Sequence, residues 1–368
     1  MTQNKTEQLL EKYCPDGVEF MELGNVLNYE QPTKYLVGST NYDDSHTTPV
    51  LTAGQTFILG YTNEEDWIYQ ASKKNPVIIF DDFTTAFKWV DFPFKAKSSA
   101  MKMLTSKNTE DYNLRFIFYA MNCIGYVPQD HARQWIWTFS KFQIPVPPIE
   151  IQKEIVKILD TFTELEAELE AELKARKSQY EYYRDDLLSF EDDEVEWRPL
   201  EKIYKFQYWK GNTIPTIWGE YLVYGSNGIV GTHNEYNSED SPVIGHIGAY
   251  AGIVNWGKWK HFVTYNGVIC RLIAEDVNPK YAYYQLLKQD FNSMAKNEAQ
   301  PFVSYAALNN VLIPVPSKEK QEEIVETLDK FDALVNDIFI GLPAELQARR
   351  QQYEYYRNKL LTFEPLEK

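Results

Sequence analysis

An α+β chain is predicted: two mixed α/β domains with twisted sheets, separated by two long helices that pair as an antiparallel coiled coil. Three observations predict it. A 19-residue segment, Ile144-Pro-Val-Pro-Pro-Ile-Glu-Ile-Gln-Lys-Glu-Ile-Val-Lys-Ile-Leu-Asp-Thr-Phe162, returns 169 residues later as Ile313 to Phe331 with 12 identities. Each copy opens a long stretch of apolar residues at alternating three- and four-residue spacing. The segments that precede the two copies, 18–143 and 195–312, are β-rich and share little sequence.

The elements follow in order. Residues 1–143 form a first domain, with strand-like runs at Val77-Ile-Ile-Phe80 and Ala100-Met-Lys-Met-Leu104 and a helical patch from Tyr112 to Met121. Residues 144–190 form the first spacer. Pro145, Pro147 and Pro148 end a strand and cannot enter the following helix. Its seam reads Ile155, Ile158, Phe162, Leu165, Leu169, Leu173, Tyr180, Tyr183 and Leu187, with one stutter. Residues 191–312 form a second domain with strands at Pro242–Gly245, Gly252–Asn255 and Gly267–Leu272 and a helix near Lys280–Leu287. Residues 313–368 carry the second spacer, with Phe331, Val335, Tyr353 and Tyr356 on its seam and a break expected at Gly341 and Pro343.

Tyr180-Glu-Tyr-Tyr-Arg184 returns as Tyr353-Glu-Tyr-Tyr-Arg357 at an offset of 173, so the second copy holds four extra residues. A weaker echo links Leu9-Leu10 and Val18-Glu-Phe20 with Leu187-Leu188 and Val195-Glu-Trp197. The order is therefore cyclic: the N-terminus reads as the tail of a repeat whose head lies at the C-terminus. Such a chain approximates two-fold symmetry.

Composition narrows the function. The chain has 368 residues and 44% hydrophobic content, enough for two domains and extra helix. Three scattered cysteines without CxxC spacing predict a reducing, cytoplasmic setting and no zinc site. The start is polar, without the pattern of a signal peptide, and no run reaches membrane-spanning length. The net charge of −16 is unevenly placed, since residues 144–200 hold 16 acids against 7 bases while 201–312 hold 9 of each. Most of the excess acid thus belongs to a solvated helix.

No Walker loop, GxGxxG or amino-methylation motif occurs, and the five histidines form no triad. No catalytic or metal-ligating residue is therefore assigned. The Gly-rich segments 225–231 and 245–252 read as tight turns, and adjacent Asp81 and Asp82 point to opposite faces of a strand. The stronger signal is local charge. Five lysines, Lys88, Lys95, Lys97, Lys102 and Lys107, stand against one acid between residues 88 and 107, and no acid occurs between 241 and 274. Lys and Arg bind phosphates, and short polar side chains read base edges. The candidate DNA contacts are Thr84, Thr85, Lys88, Lys95, Lys97, Ser98, Gln129 and Arg133 in the first domain. In the second they are His246, Tyr250, Lys258, Lys260, His261, Gln300 and Ser304.

The two Ile-Pro-Val-Pro segments, the two Tyr-Glu-Tyr-Tyr-Arg segments and the cyclic order resemble the specificity subunits (HsdS) of Type I restriction–modification systems. The resemblance spans nearly the whole chain. It implies that each domain is a target-recognition domain reading half of a bipartite DNA site. It also implies a coiled coil that sets the spacer and docks two methyltransferase subunits. These would bring S-adenosylmethionine, and a motor-nuclease subunit, where present, ATP; the chain itself would hold no cofactor and carry no catalysis. The Leu165-Glu-Ala-Glu, Leu169-Glu-Ala-Glu repeat resembles the family's adjustable spacer. The competing expectation is a coiled-coil adaptor that binds only proteins.

Overall fold

A computed structural model describes residues 5–54, 56–192, 194–209, 211, 218–294, 301–337 and 340–366. The chain divides into two compact units, Met1–Glu168 with Gln347–Lys368, and Leu169–Leu346.

The first unit opens with α1 (Lys5–Tyr13), β1 (Phe20–Glu22), α2 (Leu23–Val26) and β2 (Leu27–Glu30). It continues with β3 (Thr48–Leu51), β4 (Ile58–Thr62), β5 (Val77–Asp81), β6 (Phe87–Val90), β7 (Lys95–Ala96) and β8 (Met101–Ser106). Then come α3 (Leu114–Met121), β9 (Gln143–Pro145) and the start of α4 (Ile149–Leu187). One sheet has the antiparallel order β2-β8-β5-β6, and a second the order β4-β3-β7 with β3 and β7 parallel. The short pair β1-β9 sets Phe20 opposite Pro145. Strand β5 is buried on both faces, which is why it reads as an unbroken apolar run. Its alternate residues feed different cores. Ile78 and Phe80 meet Phe116 and Tyr119 of α3 and Ile151, Ile155 and Leu159 of α4, while Val77 and Ile79 meet Phe94, Met101 and Met103.

The second unit comprises β10 (Glu196–Pro199), β11 (Tyr204–Tyr208), β12 (Tyr221–Gly225), β13 (Gly228–His233), β14 (Ser238–Gly245), β15 (Val254–Val263) and β16 (Gly267–Leu272). Helices α5 (Pro279–Lys288) and α6 (Tyr305–Asn309), strand β17 (Leu312–Val315), α7 (Lys318–Asn336) and α8 (Leu342–Leu360) follow, with α8 reaching into the first unit's share of the chain. The sheet order is β11-β16-β14-β15-β12-β13. Its first four strands repeat the β2-β8-β5-β6 order, and β12 pairs parallel with the far half of β15 as β3 pairs with β7. The sequence comparison shows little in common between these domains; the topology is nevertheless the same. What persists is the pattern of buried positions rather than residue identity. In the first unit Asp91 to Phe94, including Pro93, separates β6 from β7, where the second unit has one 10-residue strand.

Helix α4 has 39 residues and is about 58 Å long at about 1.5 Å per residue. The second spacer is broken where its sequence demands. Gly341 follows α7, and a Cβ there would lie 2.4 Å from the Ala333 carbonyl oxygen. Pro343 occupies the first turn of α8, where no amide partner is needed. The helices pair antiparallel within each unit. In the first, Phe162 of α4 stacks on Tyr356 of α8 at 5.4 Å, and Glu166 meets Arg350 at 2.6 Å. In the second, Tyr183 stacks on Phe331 at 5.8 Å, and Leu173 and Tyr180 pack into the cluster that holds Leu328 and Val335.

One expectation changes. Leu165 is 41% exposed, so the seam is not continuously buried; the N-terminal half of α4 turns Ile151, Ile155 and Leu159 toward the unit's own core instead. Leu169 is half-buried and Tyr353 packs against the first unit's cluster. Leu360 and Leu361, which repeat Leu187-Leu188 at the offset of 173, pack with Leu9 and Leu10 in the first unit's cluster. The cyclic closure is explicit, because Val18 and Glu364 to Leu366 exchange backbone hydrogen bonds at 2.9 Å.

Candidate nucleic-acid interface

In the first unit three separate segments converge on one buried carboxylate. Asp82 begins the β5–β6 turn and is 1% exposed. Its carboxylate pairs with Lys102 of β8 at 2.9 Å, accepts the Trp135 amide at 2.8 Å, and lies 3.7 Å from Arg133. Its backbone carbonyl accepts the Gln134 amide, and its amide donates to Ala100. The turn residues Phe83 and Thr84, the segment 97–100 and the loop 127–137 are thereby fixed as neighbours. Thr84, Lys97, Gln129 and Arg133 are exposed there, and Lys88 and Ser98 are half-exposed. Gln129 and Arg133 also line a cleft of about 280 Å³ with Trp137.

Three first-unit assignments are corrected. Lys95 is 4% exposed and spent on Glu64 at 2.6 Å and the Asp66 carbonyl. Thr85 is 7% exposed, with its hydroxyl turned back onto the Thr84 carbonyl at a φ of 58°. Lys102, counted in the basic run, is fully buried in the Asp82 pair. Sequence charge counting cannot separate a surface lysine from one sealed under a turn. Asp81 accepts the Phe83 and Thr84 amides, while Asp82 turns inward to Lys102.

In the second unit the β14–β15 connection and the segment before α6 are zipped together. His246 Nδ1 lies 2.8 Å from the Val303 carbonyl, so Nδ1 carries the proton and donates. The Val303 amide returns a bond to the His246 carbonyl, and Gly248 donates to Pro301. The imidazole packs on Tyr208 at 4.0 Å, which in turn stacks on Tyr305 at 3.8 Å. Burial pushes the His246 pKa down. Gly248 and Gly252 take φ values of 93°, as tight turns require. Tyr250 projects at 49% exposure, while Ser304 is committed to capping α6 through the Ala307 amide. Gln300 lies outside the described residues. Lys258 and Lys260 are exposed on β15, but His261 is fully buried, and that assignment is corrected too. Its strand position turns the ring inward.

The sequence reading missed a duplicated set of contacts that anchors each domain to its spacer helix. Gln152 of α4 accepts the Asn113 amide at 2.8 Å and donates to the Asp111 and Pro147 carbonyls. Gln321 of α7 does the same with Asn278, Asp276 and Pro316. Asn113 and Asn278 each cap the next helix, accepting two amides. About two turns further along the spacer helix, Asp160 pairs with Arg115 at 2.8 Å, which lies 4.7 Å from the Trp89 ring, and accepts from Tyr119. Lys280 pairs with Asp329 at 3.3 Å and lies 4.9 Å from the Trp256 ring, with Tyr284 donating to Asp329. The signal was present as Asp-x-Asn-x-Arg/Lys-aromatic-x-aromatic-Tyr, from Asp111 to Tyr119 and from Asp276 to Tyr284. Its two identical positions before the helix were too few to stand out.

Comparison with known proteins decides the family. A family model described as Type I restriction modification DNA specificity domain matches residues 15–176 and 198–348. The chain belongs to the Type I specificity-subunit family. A Type I restriction enzyme specificity subunit of Escherichia coli is 42% identical over 95% of both chains. A putative specificity subunit of Haemophilus influenzae is 28% identical over 99% of this chain and 100% of the relative. The fold matches the S subunit of a Type I restriction–modification system from M. genitalium, with a TM-score of 0.61 at 16% identity over 94% of this chain and 96% of that one. A second structure, from work on assembly and conformational transition of the type I system, matches with a TM-score of 0.54 at 15% identity, covering 94% and 98%. No described helix of this specificity subunit is long and apolar enough to cross a membrane.

Proposed function

We propose that this subunit reads a bipartite DNA site within a Type I modification complex, each domain reading one half. One observation carries the reading. The same strand order and the same helix anchors occur twice, while the surfaces around Asp82 and around His246 differ. A duplicated frame with unlike faces suits two unlike half-sites held at a set separation. Thr84, Lys88, Lys97, Ser98, Gln129 and Arg133 serve the first half-site, and His246, Tyr250, Lys258 and Lys260 the second. The domains are taken as 1–143 and 191–312, with 144–190 and 313–368 as spacers that also dock two methyltransferase subunits. The chain acts without catalysis or cofactor of its own. S-adenosylmethionine, and ATP where a restriction subunit joins, belong to the partners, and the complex works in the cytoplasm.

The test is methylome sequencing of cells with and without this gene. A bipartite methylated motif should vanish with the gene. Inserting a further Leu-Glu-Ala-Glu unit after Glu172 should widen its spacer and keep both half-sites, since about 6 Å of helix is somewhat under two base pairs. A continuous motif, or none, refutes the reading and favours a protein-only adaptor.

A further inference from the structure

The pairing of β14 with β15 is interrupted once. Glu239 faces Lys260 and Ser241 faces Gly257, leaving Asp240 opposite the bulged pair Lys258 and Trp259. Both Asp240, at φ 37°, and Trp259, at φ 53°, hold the left-handed conformation that side chains rarely adopt. Side chains fix it from both sides. The Asp240 carboxylate accepts the Trp259 amide at 2.7 Å, and His261 Nδ1 donates to the Trp259 carbonyl at 2.8 Å. The His261 ring is wholly buried over Gly257, where a Cβ would lie 2.3 Å from Nε2. Asp240, His261 and Gly257 thus maintain a strained backbone whose result is one indole, 73% exposed. Strain of this kind is kept where it has a use. The indole stands in sequence between two exposed lysines; Asp240 is committed to the Trp259 amide, and Lys260 lies opposite Glu239 and over the Tyr236 ring at 4.7 Å. Exposed aromatic surface flanked by cations suits nucleic acid, with bases against the ring and phosphates on the lysines.

We propose that Trp259 is a specificity-determining DNA contact, its indole laid against bases in the groove of the half-site read by the second domain. Lys258 and Lys260 take the flanking phosphates. The inference rests on the reading of the chain as a DNA-specificity subunit. It applies to one half-site only. Strand registers place Phe92 at the equivalent position of the first unit, and Phe92 is half-buried against Phe57.

The experiment measures binding of the full chain, assembled with its methyltransferase subunits, to three fluorescent duplexes. One carries the bipartite site read from the methylome, and the others have one half-site or the other scrambled. Trp259→Ala should weaken binding to the intact duplex about tenfold. It should also abolish most of the penalty for scrambling one half-site while leaving the penalty for the other. Trp259→Phe should retain much of the effect. Lys258→Ala with Lys260→Ala should weaken all three duplexes alike, with a shallower salt dependence. Wild-type affinity of Trp259→Ala for the intact duplex overturns the inference and leaves the functional reading standing. Equal loss at both half-sites also overturns it. Should the unaltered complex fail to distinguish the three duplexes, the functional reading falls first.

Discussion

Phe162 stacks on Tyr356 with their rings 22° from parallel, and its counterpart Phe331 stacks on Tyr183 at 21°. The partners are equivalents too, since Tyr183 and Tyr356 differ by the 173-residue offset. Each unit therefore takes its phenylalanine from one copy of the repeat and its tyrosine from the other. Neither spacer can complete a pair alone, which is the physical content of the cyclic order. Tyr356→Ala should destabilise the first unit and Tyr183→Ala the second, each by about 1 kcal/mol for a partly exposed stacked ring. Hydrogen exchange resolved by unit checks this. Protection lost equally in both units after either substitution would contradict it.

Gln321→Ala is expected to cost more than its size suggests. Its side chain satisfies the Asn278 amide and the Asp276 and Pro316 carbonyls, and it is fully buried. Each buried group left unpaired costs about 1–3 kcal/mol. Gln321→Glu should be worse still, because a carboxylate would face two carbonyl oxygens. Denaturation midpoints should fall in the order wild type, Ala, Glu. A glutamate variant as stable as wild type would show that the clamp is not a hydrogen-bond device.

Much of this architecture was legible because the spacers keep their apolar and capping residues under two constraints at once, core and seam. Ile144 to Phe162 and its copy show this directly, as does the break at Gly341. The domains were legible only as β-rich. Their common strand order is carried by burial at positions such as Ile79 and Val243, where any apolar residue serves. The candidate surface was half legible. Thr84, Arg133 and Ser98 come from distant segments, joined by the β5–β8 pairing and the buried Asp82. Lys95 and Lys102 read as surface charge because a buried ion pair and an exposed lysine have the same letter.

Lys102→Met tests that joint. Lys102 and Asp82 are 0% and 1% exposed at the side chain, and Gln31 accepts a further bond from the ammonium at 3.2 Å. Removing one member of a buried pair strands the other, at a cost of about 3–5 kcal/mol. The Asp82 carboxylate would keep only the Trp135 amide and the more distant Arg133 guanidinium. The variant should loosen the turn 82–86 and the loop 127–137 together, seen as raised exchange in both. If the loop keeps full protection while the turn loses it, Asp82 does not couple them.

The second unit should lose stability in mild acid through His261. Burial holds its pKa below the ordinary value, against the Trp259 carbonyl, Asp240 and Glu239, which raise it, and with Arg271, which lowers it. The unfolded chain, with an ordinary imidazole near about 6.5, then binds a proton more readily than the folded one. The stability is complete above that pH and is lost as pH falls through the lower folded value. His246, also depressed by burial, acts in the same direction. Protonated His261 would still donate from Nδ1 to Trp259, so the loss arises at Nε2, which lies against Gly257 and 3.5 Å from the Ser241 hydroxyl inside the sheet. Imidazole titration by NMR should place the His261 midpoint below about 6.5, with exchange protection of β14 and β15 falling over the same range. A midpoint above that value would mean that Asp240 and Glu239 outweigh burial, and the acid sensitivity would then disappear.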